Sequence, residues 1–360
     1  MLHKITTPTL LLDEQKSRRN IAKMAAKASA SKAEFRPHFK THVSKQVGLW
    51  YKEYGVSKIT VSSVQMAEYF ADDWDDILIA FPVNILEIDR INNLANKVSL
   101  HLVVESLASI EFLKTKLSAP VFIWIKIDAG YNRTGIKWDK QSAINEVHNA
   151  INGKLVFKGF LAHSGHSYGA GSIEEIQEIH KLSMQRMFHL KSEYPQASIS
   201  LGDTPTCSVV EDFEGLDELR PGNLVFYDLA MQKLAVCEYE DIAVALACPV
   251  VAVHSDQLTI YGGGVHFSKD VMHDPRPLYG RVVDGDGLSW NKVIPNVELK
   301  KISQEHGIIT GPSSYLSSKK VGDIVKVLPV HSCMTADLMT GFLTTDGNWI
   351  EKFVRANMIF

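Results

Sequence analysis

The feature that most constrains this chain is a regular alternation, over its first two thirds, of short apolar runs with amphipathic stretches of helical period. Extended segments are expected at 33–36, 58–63, 76–81, 98–104, 121–128, 155–162, 197–201 and 224–227. Between them lie helix-like stretches, the clearest at 173–194, where Ile173, Ile176, Ile179, Leu182, Met187 and Leu190 fall on or near one face. Eight strands alternating with helices over about 220 residues suit a closed (β/α)8 barrel better than an open sheet, which usually has fewer strands. A doubly wound sheet is the runner-up, but no G-x-G-x-x-G follows the first strands. From about Asp241 the texture changes to short β-branched runs broken by Gly, Pro and Asp, such as 257–261 before Gly262-Gly-Gly264 and 324–328 before Pro329. The expected fold is therefore α/β: a (β/α)8 barrel over 13–240, followed by a smaller all-β domain over 241–360 that also takes the strand within 1–12.

Composition narrows the function classes. The 360 residues are 45% hydrophobic and 22% charged, with a net charge of -3, which leaves no electrostatic footprint for nucleic acid. A small anionic ligand remains compatible, because a pocket can be positive while the chain is mildly negative. The longest uncharged apolar run, 242–253, is too short to span a bilayer and contains Pro249, so no membrane partner is expected. The N-terminus lacks the features of a secretion signal. The four cysteines, Cys207, Cys237, Cys248 and Cys333, form no Cys-x-x-Cys and read as free thiols or ligands in a reducing, cytoplasmic compartment.

In a barrel of parallel strands, chemistry collects on the loops after the strands' carboxyl ends. Pro37 ends the first strand at about Arg36, which puts Lys40 of Arg36-Pro-His-Phe-Lys-Thr-His42 just beyond it. The charge of this cluster argues against a place in the core, and a solvated basic loop is the bland alternative. A lysine beside positive neighbours loses its proton more readily, and a neutral amine forms Schiff bases. After the fifth strand comes 128–135, after the sixth 163–168, after the seventh Gly202-Asp-Thr-Pro-Thr206, and just before the eighth Arg220-Pro-Gly-Asn223. Glycines and a hydroxyl such as Thr204 are what a phosphate needs. Each segment alone is a polar turn; their joint placement at one end of the barrel is the argument. Late in the chain, His331 and Cys333 stand two apart, so on a strand or extended turn they point the same way and can share a metal ion. By spacing alone, a structural histidine and a buried thiol are the better reading.

These segments together resemble the D-serine dehydratase and D-threonine aldolase group of pyridoxal-phosphate enzymes, of the alanine racemase-like fold type, and the resemblance covers nearly the whole chain. It implies that Lys40 carries pyridoxal 5'-phosphate and that Thr204, with the backbone of Gly222 and Asn223, holds the phosphate. It also implies that Arg133 lies near the lysine and the phenolic oxygen. Tyr168 or Arg220 would meet the pyridine nitrogen. Alanine racemase has a tyrosine four residues after its lysine, where this chain has Ser44. Racemisation needs an acid/base on the opposite face, so this departure speaks against it. By the same resemblance His331 and Cys333 bind a divalent metal, zinc, whereas aldolases more often carry His-x-Asp.

The expected activity is that of a pyridoxal-phosphate- and metal-dependent lyase, working as a homodimer. It would dehydrate a small D-3-hydroxy amino acid, D-serine-like, to a 2-oxo acid and ammonia. Aldol cleavage to glycine and an aldehyde, and non-catalytic binding of pyridoxal phosphate, are the alternatives.

Overall fold

The computed structural model describes residues 2–354; Met1 and residues 355–360 of the expected second domain lie outside the described residues. The chain opens with strand β1 (Thr9–Leu12) and helix α1 (Glu14–Ala30). By compactness it divides into two units, one of residues 22–40 and 49–222, the other of 1–21, 41–48 and 223–360.

The first unit is built on eight parallel strands: β2 (Glu34–Phe35), β3 (Ile59–Val61), β4 (Asp76–Pro82), β5 (Ser99–Val104), β6 (Val121–Asp128), β7 (Leu155–Leu161), β8 (Ser198–Leu201) and β9 (Glu218–Leu219). They pair in the order β2-β9-β8-β7-β6-β5-β4-β3. A parallel bridge between His38 and Thr60 closes the ring, with Thr60 N–H donating to the Pro37 carbonyl at 2.9 Å and Phe39 N–H to that of Thr60 at 2.9 Å. The (β/α)8 expectation holds. Strands covered on both faces need apolar side chains on both, and Leu78, Val103, Trp124 and Leu161 form one such fully buried cluster.

Two local expectations are corrected. The eighth strand is Glu218–Leu219, not 224–227. Pro221 has no N–H to continue a ladder, and the apolar run after it is buried as a 3-10 turn, Asn223–Val225. Arg220-Pro-Gly-Asn223 therefore follows the eighth strand instead of preceding it. The first strand does end before Pro37, as expected, although His38 N–H still donates to the Pro221 carbonyl at 3.0 Å. The segment 36–42 is not a solvated loop: Arg36, Phe39, Thr41 and His42 are buried and Lys40 is exposed.

Burial of Arg36 is made possible by acids far along the chain. Its Nε donates to Glu218 at 2.9 Å and its Nη1 to Asp76 at 2.6 Å. Glu218 also accepts from Ser200 Oγ at 3.0 Å, and Asp76 lies 3.2 Å from His101 Nε2. Trp124 Nε1 donates to His101 Nδ1 at 3.0 Å, which leaves the ring proton on the nitrogen facing Asp76. One polar network thus ties β4, β5, β6, β8 and β9 to the segment leaving β2.

The expected helix at 173–194 is Ile173–Glu193, capped by Ser172, whose hydroxyl accepts from the Glu175 amide. Its buried stripe is Ile176, His180, Ser183, Met187 and Leu190. Leu182, expected on that stripe, is exposed, because two polar residues take the inward positions.

The second unit is an antiparallel barrel of β10 (Val244–Val253), β11 (Leu258–Tyr261), β12 (Gly280–Asp284), β13 (Lys292–Ile302), β14 (His306–Thr310) and β15 (Ile324–Pro329). It closes in the order β10-β11-β14-β13-β12-β15. β10 can serve three neighbours because its ladder is irregular just after Pro249, between Val250 and Ala252. Its first residues pair antiparallel with β1, Leu12 opposite Val244, and β1 in turn pairs parallel with β16 (Gly341–Thr344). Leu10, Leu11 and Leu12 are buried.

Candidate active site

Two clusters of functional side chains stand out, one in each unit. In the parallel barrel, Lys40 follows the bridge at His38, and its amide donates to His38 Nδ1 at 3.4 Å. Positive charge converges here. Burial first, then Lys40, Arg220, His163 and Lys126, hold the His38 imidazole well below its ordinary range. His163 is likewise held low by burial and by Lys126, Lys40 and Arg133, against a hydrogen bond with the Gly202 carbonyl at 2.9 Å. That carbonyl only accepts, so the His163 proton sits on Nδ1. Burial, then Arg220 and Arg133, bring the Lys126 ammonium down to about 7. Cations crowded around neutral imidazoles make a place for an anion.

The segment after β8 and that after β9 supply a cradle. Asp203 caps the short helix Thr204–Val209, accepting from Thr206 N–H at 2.9 Å and from Ser167 Oγ at 2.7 Å. Thr204 is fully buried, yet its hydroxyl finds no partner among the described residues. A buried hydroxyl left without an acceptor costs stability unless a ligand supplies one. A Cβ on Gly222 would stand 2.6 Å from the His38 carbonyl oxygen, and one on Gly202 2.4 Å from the Arg220 amide, so both positions require glycine. The orphan hydroxyl, the glycine backbone and the surrounding cations fit a phosphate group.

The remaining barrel residues are placed as follows. The Tyr168 phenolic oxygen accepts from the Thr204 amide at 3.2 Å, at the cradle itself. Arg220 is buried; its Nε donates to Ser200 Oγ at 2.7 Å and its Nη2 to the carbonyls of Ser200 and Ala162. Arg133 is exposed, its guanidinium 4.9 Å above the Tyr131 ring.

In the other unit, β15 runs into His331, which is extended and precedes the helix Ser332–Leu338 without a capping bond from its side chain. Cys333 therefore lies in the first turn of a helix, not two places along a strand. A strand-to-helix turn, and not strand alternation, brings the two side chains together. Burial alone would lower the His331 imidazole, but the hydrogen bond with Cys333, the Cys333 charge, Asp228 and Asp270 raise it to about 9. The Cys333 sulfur is 3.2 Å from Thr41 Oγ1 and 3.4 Å from Asn223 Nδ2. No group of three ligating side chains occurs among the described residues. A soft sulfur beside an imidazole suits a zinc-like ion and leaves its other positions to water and substrate.

Sequence reasoning passed over several of these residues. Lys126 had a visible signal, a lysine within the apolar strand β6. His163 was seen in its loop but given no role. Asp228 and Arg36 had none, because their partners are distant in sequence. Asn223, expected at the phosphate through its backbone, directs its side chain to Cys333. His266 turns back on its own loop, accepting from Gly263 N–H at 3.2 Å.

Comparison with known proteins bears on the family and the fold. The family profile described as "Alanine racemase, N-terminal domain" matches residues 12–229, and "Putative serine dehydratase domain" matches 243–345. The D-serine dehydratase of Dictyostelium discoideum is 27% identical, over 98% of this chain and 97% of that protein. The solved D-threo-3-hydroxyaspartate dehydratase from Delftia sp. HT23 superposes with a TM-score of 0.89 at 26% identity, covering 99% of each chain. A mutant of that dehydratase solved in a metal-free form gives the same score. With more than half its length under the first profile and the second covering its β-rich part, the chain belongs to the alanine racemase-like family of pyridoxal-phosphate enzymes, in the branch that carries the serine dehydratase domain.

Proposed function

We propose that the protein dehydrates a small D-3-hydroxy amino acid, D-serine or a close relative, to a 2-oxo acid and ammonia, using pyridoxal 5'-phosphate and zinc. The reading takes 13–240 as the cofactor-binding domain and 241–360, with 1–12, as the second. One observation carries it. Thr41, the residue after Lys40 in the sequence, touches Cys333 at 3.2 Å.

Lys40 would hold the cofactor, and its amine, when free, would be the base that takes the Cα proton of the substrate. The Thr204 hydroxyl and the amides of Gly222 and Asn223 anchor the phosphate, with Tyr168 buttressing the Thr204 amide. Arg220 is fixed by Ser200 and by two carbonyls, which supports a role as an immobile donor at the ring nitrogen, and Arg133 neutralises charge nearby. His331 and Cys333 hold the zinc. When bound, the cofactor supplies an electron sink for the Cα carbanion and the metal a Lewis acid for the β-hydroxyl. Loss of the Cα proton and of hydroxide amounts to loss of water, and the enamine released hydrolyses to products. Ser44 is buried, with its amide donating to His42 Nδ1 at 3.1 Å, which leaves no second acid/base of the racemase kind at that position.

A cytoplasmic setting is supported by four cysteines that form no disulfide among the described residues. Among the described residues no helix is long and apolar enough to cross a membrane. A homodimer is supported by the exposed Phe81 and Leu86, and an active monomer in sedimentation removes it.

The test is a panel of D- and L-3-hydroxy amino acids, assayed for 2-oxo acid, ammonia, glycine and aldehyde, with metal analysis of the active protein. D-Serine-type substrates should give 2-oxo acid and ammonia in equal amounts, and Lys40→Ala should give neither. Glycine with aldehyde as the main products, or undiminished turnover after zinc is chelated, refutes the proposal.

A further inference from the structure

The turn that carries His331 and Cys333 is gripped by a buried set of polar side chains that the reaction as described does not use. Asp228 is fully buried. Its Oδ2 accepts from Asn223 Nδ2 at 2.7 Å, from the Ser332 amide at 3.0 Å and from the Ser332 hydroxyl at 3.2 Å, and lies 3.7 Å from His331 Nδ1. Its Oδ1 accepts from the Met231 amide at 3.0 Å, so the carboxylate cannot swing away without uncapping the helix Leu229–Lys233. A carboxylate only accepts, and this fixes which end of the Asn223 amide faces it. The same Nδ2 stands 3.0 Å from Ser332 Oγ and 3.4 Å from the Cys333 sulfur. With one hydrogen committed to Asp228, the other serves the hydroxyl and the sulfur. The Asn223 carbonyl oxygen is then left buried with no partner among the described residues. That is an acceptor of the kind a group bound at the pair would satisfy.

We propose that Asn223, oriented by Asp228, is a positioning residue for the metal: its amide donates to the Cys333 sulfur and sets that ligand's direction, while Asp228 fixes the peptide that joins both ligands. The proposal rests on the reading of His331 and Cys333 as the metal pair. Asn223 Nδ2 reaches the Cys333 sulfur, and Asp228 Oδ2 holds the amide and hydroxyl of Ser332, the residue between the two ligands. Partners of this kind around metal ligands change affinity by about 10- to 100-fold when removed.

The experiment uses cofactor-loaded protein stripped of metal. Zinc affinity is measured by chelator competition, and cadmium-113 is added as a probe whose NMR frequency reports sulfur ligation. The wild type should show a sulfur-ligated cadmium resonance that Cys333→Ala abolishes. Asn223→Ala should weaken zinc by about 10- to 100-fold and move the cadmium resonance, with cofactor absorbance retained. Asp228→Asn keeps the shape but no longer dictates the amide's orientation; it should weaken zinc about tenfold and move the resonance in the same way. It carries the test should Asn223→Ala fail to fold. A wild-type protein with no sulfur-ligated resonance overturns the metal pair itself. A wild-type resonance present and unmoved in both variants, with unchanged zinc affinity, overturns the positioning role alone.

Discussion

Replacing Arg36 by methionine should be among the costliest single changes in the parallel barrel. The side chain is fully buried, and its two ion pairs, at 2.9 Å to Glu218 and 2.6 Å to Asp76, bind the segment leaving β2 to β9 and β4. Methionine fills much of the volume but supplies no charge. Glu218 then keeps the Ser200 hydroxyl and the nearby charge of Arg220 but loses the cation bonded to it. Breaking one partner out of a buried ion pair costs about 3–5 kcal/mol, because the other charge stays desolvated. Asp76 is 23% exposed and keeps His101, so its share is discounted and the lower end applies. The expected loss is about 3 kcal/mol, which lowers the urea midpoint by about 1 M at an m-value of about 3 kcal/mol/M. Adding Glu218→Gln removes the stranded charge and should return about 1–2 kcal/mol. Urea unfolding followed by tryptophan fluorescence reads both. A loss below about 1 kcal/mol for Arg36→Met, or a double variant less stable than the single one, would show that the network does not hold the barrel together.

His180 packs edge-on to Phe213 at 5.5 Å, and burial alone lowers its imidazole to about 4. Its folded value lies below its unfolded one, so the stability of the neutral ring is present above about pH 6.5 and is lost as pH falls through about 4, an order of 3 kcal/mol in all. His180→Phe should match the wild type in thermal unfolding at pH 7.5 and exceed it near pH 4; equal acid losses in the two would refute the assignment. Thr204→Val should do two opposite things. Removing the orphan hydroxyl should stabilise the cofactor-free protein by about 1 kcal/mol, while the lost donor to phosphate should weaken cofactor binding about tenfold or more. Unfolding of the cofactor-free protein and absorbance titration test the pair, and an unchanged cofactor affinity would remove Thr204 from the cradle.

The barrel could be read from the sequence because its signal is local: each apolar run carries its own period, and seven of eight were placed. The eighth failed because Leu224 to Tyr227 are as apolar as a strand, while the true strand, Glu218–Leu219, is two residues with a buried acid. That acid makes sense only beside Arg36, 182 positions earlier in the chain. The same distance hid the burial of 36–42. The segments expected at a phosphate could be placed because close backbone approach demands glycine at Gly202 and Gly222. The neighbours of Cys333 were not, since Thr41, Asn223 and Asp228 meet only once the chain has folded back on itself. His331 and Cys333 were paired for the wrong local reason, a strand, where a helix start does the work.

The placement of β1 has a consequence for synthesis. Its antiparallel partner begins at Val244 and its parallel partner at Leu343, so a strand made of Leu10, Leu11 and Leu12 leaves the ribosome about 230 residues before anything it can pair with. At about 5–20 residues per second that interval is roughly 12 to 45 s. Every strand of the parallel barrel emerges during it. The first strand among the described residues is therefore among the last to be paired, and until then Leu10, Leu11 and Leu12 lack their sheet partners, a point at which a chaperone that grips apolar segments would hold the chain.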